Sequence, residues 1–467
     1  MVLVLTMVVL QSISFSNYAL TTKTTNIIYG SAPYLTFDGG RTRVTNTESL
    51  LGISLSDGRR FTPTTNNSSS TNPIVLPAIG QSSADIGMLV PTNTDSIALS
   101  SLIGPPNNYW GDDDGDGQGI DGVTATGSLR LSIFDKDYNA VARNEVLDIC
   151  KAPYKLTLSN GEGRLTTRYG VPNESRFNAG NATYYIKPKA SPVICFARPY
   201  HLRWAWGLSA AVWKFEWGFL PQSFTPSSYG LNFPTTGANN LYFDLDISGS
   251  TQALSWATVS HGGITATMTD STSTSVRVTL TGPAVTDPNQ WVSENPDRVG
   301  RPSLPQVFEL VGRDSSGNAV VKYGFELKQW FVNRGPSGYT YSSVESWCNK
   351  IGGYRLPKAK ELTNARCNFN GSYGCSNDVE VVVGTPSSPD NDMRRHIGGG
   401  FFPEWDTGPF SPSSNYYPRT NFGAMSYWAD KDSSNNNRYY VRIDSNDGRI
   451  KTTIYSDRSE SGLCVYP

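Results

Sequence analysis

Two cysteines, Cys348 and Cys464, constrain this chain more than any other pair of residues. The first stands in a short helical pattern near the start of the last third of the sequence, the second three residues from its final residue. A bridge between them requires the two ends of that segment to lie side by side, so the segment must close on itself. In the loop-entropy picture such a ring contributes about 4–5 kcal/mol, less any strain. Local signals inside the ring agree with a closed α+β module. Val344 to Lys350 reads as a short helix stopped by Gly352-Gly353, and Pro357 opens a second helix running through Lys360 and Leu362 toward Ala365. A long stretch rich in Gly, Pro, Ser and Asn follows, then Tyr427-Trp428 and a strand pattern from Arg438 to Ile443. In that pattern Tyr439, Val441 and Ile443 face one way, Tyr440 and Arg442 the other, and Asp447-Gly448 supplies a hairpin turn.

Six cysteines, with no Cys-x-x-Cys or His-rich spacing, point to disulfides and an oxidising compartment. Of the fifteen connectivities open to six cysteines, proximity within modules favours Cys150 with Cys195, Cys367 with Cys375, and Cys348 with Cys464. Export also fits the first nineteen residues, an apolar run followed by polar and small residues, read as a signal peptide cleaved after Ala19. The run is too short for a transmembrane span, and its leading end carries no Lys or Arg; the competing reading is a buried N-terminal strand.

The 467 residues predict two to four domains. With 44 Gly, 29 Pro, 24 Tyr and only 17% charged residues, the composition suits short strands joined by turns better than helical bundles. The expected class is therefore mostly β and multidomain. Basic and acidic residues balance at 39 against 40 with no basic patch, which argues against a nucleic-acid partner. Residues 20–224 carry strand-like runs such as Ser128 to Ile133, with Leu129, Leu131 and Ile133 on one face, and Asn181 to Lys187; they are read as a β-rich N-terminal domain. Residues 225–333 alternate most strongly. Phe243, Leu245 and Ile247 point inward between Asp244 and Asp246, Val276 to Leu280 repeats the scheme, and Val321, Tyr323, Phe325 and Leu327 share a face. Such runs predict an Ig-like β-sandwich without a cysteine, joined by a short connector at Lys328 to Pro336 to the last module, residues 334–467.

Two stretches invite chemistry. Asp112, Asp114 and Asp116 alternate before Gly117, with Asp121 beyond, the layout by which calcium loops gather hard oxygens. The twelfth position is Val123 where an EF-hand needs Glu, so a looser calcium loop stands evenly against a solvated acidic turn; no cofactor is required. From His201 to Pro221 four tryptophans fall close together, interspersed with Lys214 and Glu216. Packing between domains is the favoured reading there over ligand stacking. The three histidines are scattered and neither Gly-x-Ser-x-Gly nor His-Glu-x-x-His occurs, so no enzyme is expected; only a carboxylate pair stays open.

The helix with Cys348, Gly352-Gly-Tyr-Arg-Leu-Pro357, Tyr427-Trp428, the Tyr439-Tyr440-Val441 hairpin and Cys464 resemble, in order and spacing, bacterial C-type-lectin-like domains. The succession of β domain, Ig-like domain and C-type-lectin-like domain, over residues 105–467, resembles the adhesive tips of the enterobacterial invasin/intimin family, most nearly the invasin-E-type adhesion domain. That family carries a β-barrel and repeated Ig-like stalks ahead of the tip, with no counterpart in this sequence. The resemblance implies an exported adhesin at the bacterial surface that binds a host-cell protein or glycan through its C-terminal domain. The expected contact residues are Arg394, Arg395, Phe401, Phe402, Trp405, Tyr416 and Tyr417, aromatic and basic groups in a polar stretch. Trp428-Ala-Asp430 is only a partial echo of the calcium-dependent sugar motif, so a protein receptor or a calcium-free glycan contact is expected. The alternatives are a self-associating surface or fibre component and a secreted carbohydrate-active enzyme.

Overall fold

A computed structural model describes residues 29–467 apart from 45–46, 116, 118–121, 201–205, 368–380, 408–416, 418, 423–425 and 431–438. The signal-peptide reading therefore lies outside the described residues. The chain is mostly β and divides into two compact units, Met1–Lys189 and Ala190–Pro467.

The first unit is built on a five-stranded sheet in the order Ile74–Ile79, Gly180–Lys189, Tyr154–Asn160, Ser128–Phe134 and Ser96–Ala98. Its interior pairs are antiparallel, but Gly180–Lys189 runs parallel to the edge strand Ile74–Ile79. Alternation sets its inner face: Leu129, Leu131 and Ile133 are buried with Leu156, Leu158, Tyr184 and Ile186. The Tyr184 hydroxyl donates to the Leu51 carbonyl at 2.7 Å, tying the sheet to the preceding loops.

The second unit begins with a two-sheet sandwich. Its seven-stranded sheet has Val193–Pro199, Tyr242–Ser248, Ser275–Thr281 and Ile264–Thr269 at its centre, while Ser255–Trp256, Gln306–Arg313 and Ala319–Leu327 form a three-stranded sheet. The inward sets predicted from alternation meet between the sheets: Phe243 packs edge-on to Phe325 at 6.0 Å, and Phe325 stacks on Phe308 at 5.1 Å. Residues 190–219, which the sequence reading placed with the first domain, contribute strands to this sheet, Val193–Pro199 pairing with Tyr242–Ser248. Their Trp-rich composition conceals the short β pairing that puts them there.

The predicted connector is instead an eleven-residue strand, Gln329–Tyr339, separated from the preceding sandwich strand by Lys328 alone. It enters a six-stranded sheet, pairing parallel to Thr236–Ala238 on one side and antiparallel to Glu460–Tyr466 on the other. Trp330, Phe331 and Val332 are all buried, which explains why a stretch adjoining Asn333-Arg-Gly-Pro336 is not a free linker. Against this sheet packs the helix Tyr341–Lys350, capped by the Thr340 hydroxyl and burying Val344, Trp347 and Cys348. Cys348 is bridged to Cys464 across a sequence separation of 116, as the closure argument required. Cys150, Cys195 and Cys367 are also disulfide-bonded, and Cys375 lies outside the described residues. The Gly352-Gly-Tyr-Arg-Leu-Pro357 motif resolves into physical parts. Both glycines hold positive φ (+110° and +92°), and Arg355 forks onto Glu361 with bonds of 2.8 and 2.6 Å at the start of the helix Ala359–Leu362. One continuous core links sandwich and terminal module, so the second unit packs as a single body.

Candidate functional site: an exposed aromatic platform on a buried ionic scaffold

Most of the contact residues expected in the terminal module are buried. Phe401, Phe402, Trp405 and Tyr417 are buried, so they form the seam of the second unit and not a contact surface. Phe401 packs on Phe331 at 4.5 Å, Phe402 on Tyr427 at 5.6 Å, and Trp405 on Phe233 of the sandwich at 4.9 Å. Tyr417 lies edge-on to Tyr242 at 5.2 Å and donates to the Trp405 carbonyl. The physical reason is area: the short helix Phe401–Trp405 offers three large aromatics to a neighbouring sheet, and burial against it exceeds what a polar loop provides. Arg394 is half-buried and paired with Asp390 at 2.7 Å. Tyr416 lies outside the described residues.

The seam also holds two buried charges. Glu404 is fully buried and takes hydrogen bonds from the N–H and hydroxyl of Thr235, the N–H and hydroxyl of Thr236, and the N–H of Gly398, at 2.6–3.1 Å. Burial pushes this carboxyl up, against the pull of those donors. Arg395, equally buried, donates to the Glu404 carbonyl at 2.9 Å and to Asp406 at 3.1 Å, and its guanidinium lies 4.8 Å over the Trp213 ring. Desolvation pulls its guanidinium down while Asp406 opposes the shift. Arg395 is therefore not a surface cation: a buried arginine keeps its charge only beside such partners.

What this scaffold holds up is the Trp-rich segment. The Arg395 N–H donates to the Trp206 carbonyl at 2.8 Å and the Arg395 carbonyl accepts from the Leu208 N–H at 3.3 Å, giving an isolated parallel bridge between Gly207 and Arg395. Gly207 is needed there, since a Cβ would stand 2.9 Å from the Trp213 ring. Trp213 begins a two-residue hairpin strand, Trp213–Lys214, paired with Gly218–Phe219, and alternation sends Trp213 inward onto Phe219 at 4.7 Å. The turn between the strands places Glu216 at a φ of 65° and throws Phe215 outward. Trp206 and Phe215 then stack on each other, centroids 5.9 Å apart and planes at 18°, with 66% and 45% of their surfaces exposed. Lys214 reaches over the neighbouring Trp217 ring at 5.8 Å, and Glu216 is exposed beside it. Sequence reasoning assigned this segment to packing; it was right for Trp213 and missed Trp206, because only the hairpin separates inward from outward rings. His201 and Trp204 lie outside the described residues.

In the acidic loop the described aspartates serve different partners. Asp112 accepts from the Gly117 N–H at 2.7 Å, Asp114 from the Ser31 N–H at 2.6 Å, and Asp113 from the Tyr34 hydroxyl while pairing with Arg43. Asp116 and Asp121 lie outside the described residues, and among the described residues no group of three or more His, Cys, Asp or Glu is arranged to hold a metal.

The chain matches no known family profile and no curated protein. Among solved structures it is similar to invasin, a bacterial integrin-binding protein, with 13% identity over 74% of this chain and 52% of that one, at a TM-score of 0.33. It is also similar to the C-terminal 282-residue fragment of intimin in complex with the intimin-binding domain of its translocated receptor, with 11% identity over 75% and 100% of the two chains and a TM-score of 0.33. A titin Ig tandem matches at 9% identity over 46% and 88%, with a TM-score of 0.16. The chain spans about half the length of the invasin it matches.

Proposed function

We propose that this chain is a surface-displayed adhesin that binds a protein on a host cell, with its second unit as the receptor-binding part and the Trp206/Phe215 platform as the centre of the contact. The observation that carries the reading is that stacked, outward-facing aromatic pair fixed to a scaffold of buried charges. Exposing two large rings side by side costs hydration that a protein avoids unless a partner covers them, and rigid aromatic groups dominate the binding energy of protein interfaces. Lys214 and Glu216 supply a charged rim beside the rings. The disulfide-closed terminal module and a second unit packed on one core suit a rigid binding tip outside the cell. No helix among the described residues is long and apolar enough to cross a membrane, and the reading assigns the chain no chemical step.

The test is adhesion of beads carrying the full chain to cultured host cells, compared with Trp206→Ala and Phe215→Ala variants of unchanged melting temperature. Loss of binding by about tenfold or more per ring, the range of interface hot spots, supports the reading. Binding unaffected by both substitutions removes the platform from the contact. No binding by the parent chain, together with a multimer on a sizing column, replaces the adhesin reading with self-association.

A further inference from the structure

A second feature of the terminal module has no place in that reading. The strand Gln329–Tyr339 loses register against Glu460–Tyr466 between Asn333 and Gly338, and this bulge turns the Arg334 side chain into the module. Gly335 makes the turn possible: its φ is +96°, and a Cβ would sit 2.5 Å from the Trp291 ring. Arg334 is only 2% exposed. Its Nε donates to the Trp291 carbonyl at 2.9 Å and its Nη1 to the Ser343 hydroxyl at 3.0 Å, with the Tyr339 and Trp347 rings at 3.8 and 5.4 Å. Among the described residues Nη2 makes no hydrogen bond and Arg334 has no acidic partner. Burial draws the guanidinium down to about 10, which leaves it a cation at neutral pH.

That cation lines a cavity of about 270 Å³, whose wall is one face of the helix Tyr341–Lys350. Ser342, Ser343, Ser346 and Lys350 fall on that face at helical spacing and bring three hydroxyls and an ammonium to the cavity. Among the described residues the Ser342 and Ser346 hydroxyls make no hydrogen bond, and Lys350 spends two of its donors on the Glu294 carbonyl and Asn295. Among the described residues lining it Glu294 is the one acid, so two cations face one carboxylate. A buried arginine without a counter-charge is costly, and the cost falls when an anion binds beside it. The cavity is larger than a single carboxylate needs and lies just below the size range of small-ligand pockets. Its unspent groups are hydroxyls.

We propose that this cavity binds a carboxylated monosaccharide, an acidic sugar of a surface glycan, with Arg334 and Lys350 taking the carboxylate and the serines taking ring hydroxyls. It is a site distinct from the aromatic platform, and its test reads none of the platform residues. Calorimetric titration of the full chain with N-acetylneuraminic acid and glucuronate is compared with glucose and with acetate. The acidic sugars are expected to bind saturably, and glucose and acetate at least about tenfold more weakly, the worth of a charged hydrogen bond. Ser346→Ala and Lys350→Ala, both at exposed positions, should weaken binding about threefold each, and Arg334→Met should abolish it. Because Arg334→Met risks the fold, the two surface variants carry the test if its melting temperature falls. No saturation by either acid, equal binding of glucose, equal binding of acetate, or surface variants that bind like the parent each overturn the proposal; equal binding of acetate points instead to an acidic side chain of a protein.

Discussion

Replacing Glu404 by Gln changes one atom of the seam from acceptor to donor. Five donors converge on the carboxylate, three of them backbone N–H groups that can only donate. If the amide oxygen takes the position of Oε1, it keeps Thr235 and Gly398, and the new NH2 faces the Thr236 N–H, formerly 2.9 Å from Oε2. The Thr236 hydroxyl can rotate to accept, but the Thr236 N–H is stranded, at a cost of about 1–3 kcal/mol for a buried unsatisfied donor. The bonds that remain lose their charge assistance, while removing a buried charge returns part of the loss, so the net destabilisation is about 2–3 kcal/mol. In a unit of this size that lowers the melting temperature by about 4–10 °C. Glu404→Ala strands all three N–H groups and leaves a cavity, for about 4–6 kcal/mol. Calorimetry and urea unfolding of the two variants give the values directly. A Glu404→Gln protein melting within about 1 °C of the parent would refute the claim that the carboxylate's acceptors, and not its volume, hold the seam.

Trp206→Ala should change stability by less than about 0.5 kcal/mol, because the ring is largely outside the core, whereas Trp213→Ala should cost about 3–5 kcal/mol; paired melts of the two distinguish platform from scaffold. Converting both Cys348 and Cys464 to Ala should lower stability by about 4–5 kcal/mol, the loop-entropy value for a ring of this length, read by urea unfolding with the other cysteines oxidised. At Glu361, burial alone would raise the carboxyl, but Arg355, the Lys358 N–H and Gln329 outweigh it and hold it below its ordinary value of 4.5. The unfolded chain therefore takes up this proton first as pH falls, so the stabilisation is full above pH 4.5 and is lost as pH drops through the native value. Glu361→Gln should flatten that acid limb in melts recorded from pH 6 to pH 3; an unchanged slope contradicts the assignment.

The legible part of the structure was what local periodicity encodes. Phe243, Leu245 and Ile247, or Leu129, Leu131 and Ile133, declare an inner face because alternate residues of a strand must point apart, and the structure buries all six. Cys348 and Cys464 declare closure because their separation admits little else. The site was less legible. Phe401, Phe402 and Trp405 sit among Gly and Pro, as exposed anchors do, and nothing local reveals that strands of the terminal sheet and Phe233 of the sandwich cover them. Conversely Trp206 and Trp213 carry the same ring with opposite fates, decided by a hairpin of two-residue strands too short to leave a pattern. Arg334 gave no signal because a bulge, set by pairing with a strand more than a hundred residues away, determines where it points.

The strand Gln329–Tyr339 is both the exit from the sandwich and the spine of the terminal sheet, gripped by Thr236–Ala238 on one side and Glu460–Tyr466 on the other. A pull along this strand meets those ladders lengthwise, so their hydrogen bonds share the load and must give way together. A terminal sheet held this way resists being opened one hydrogen bond at a time.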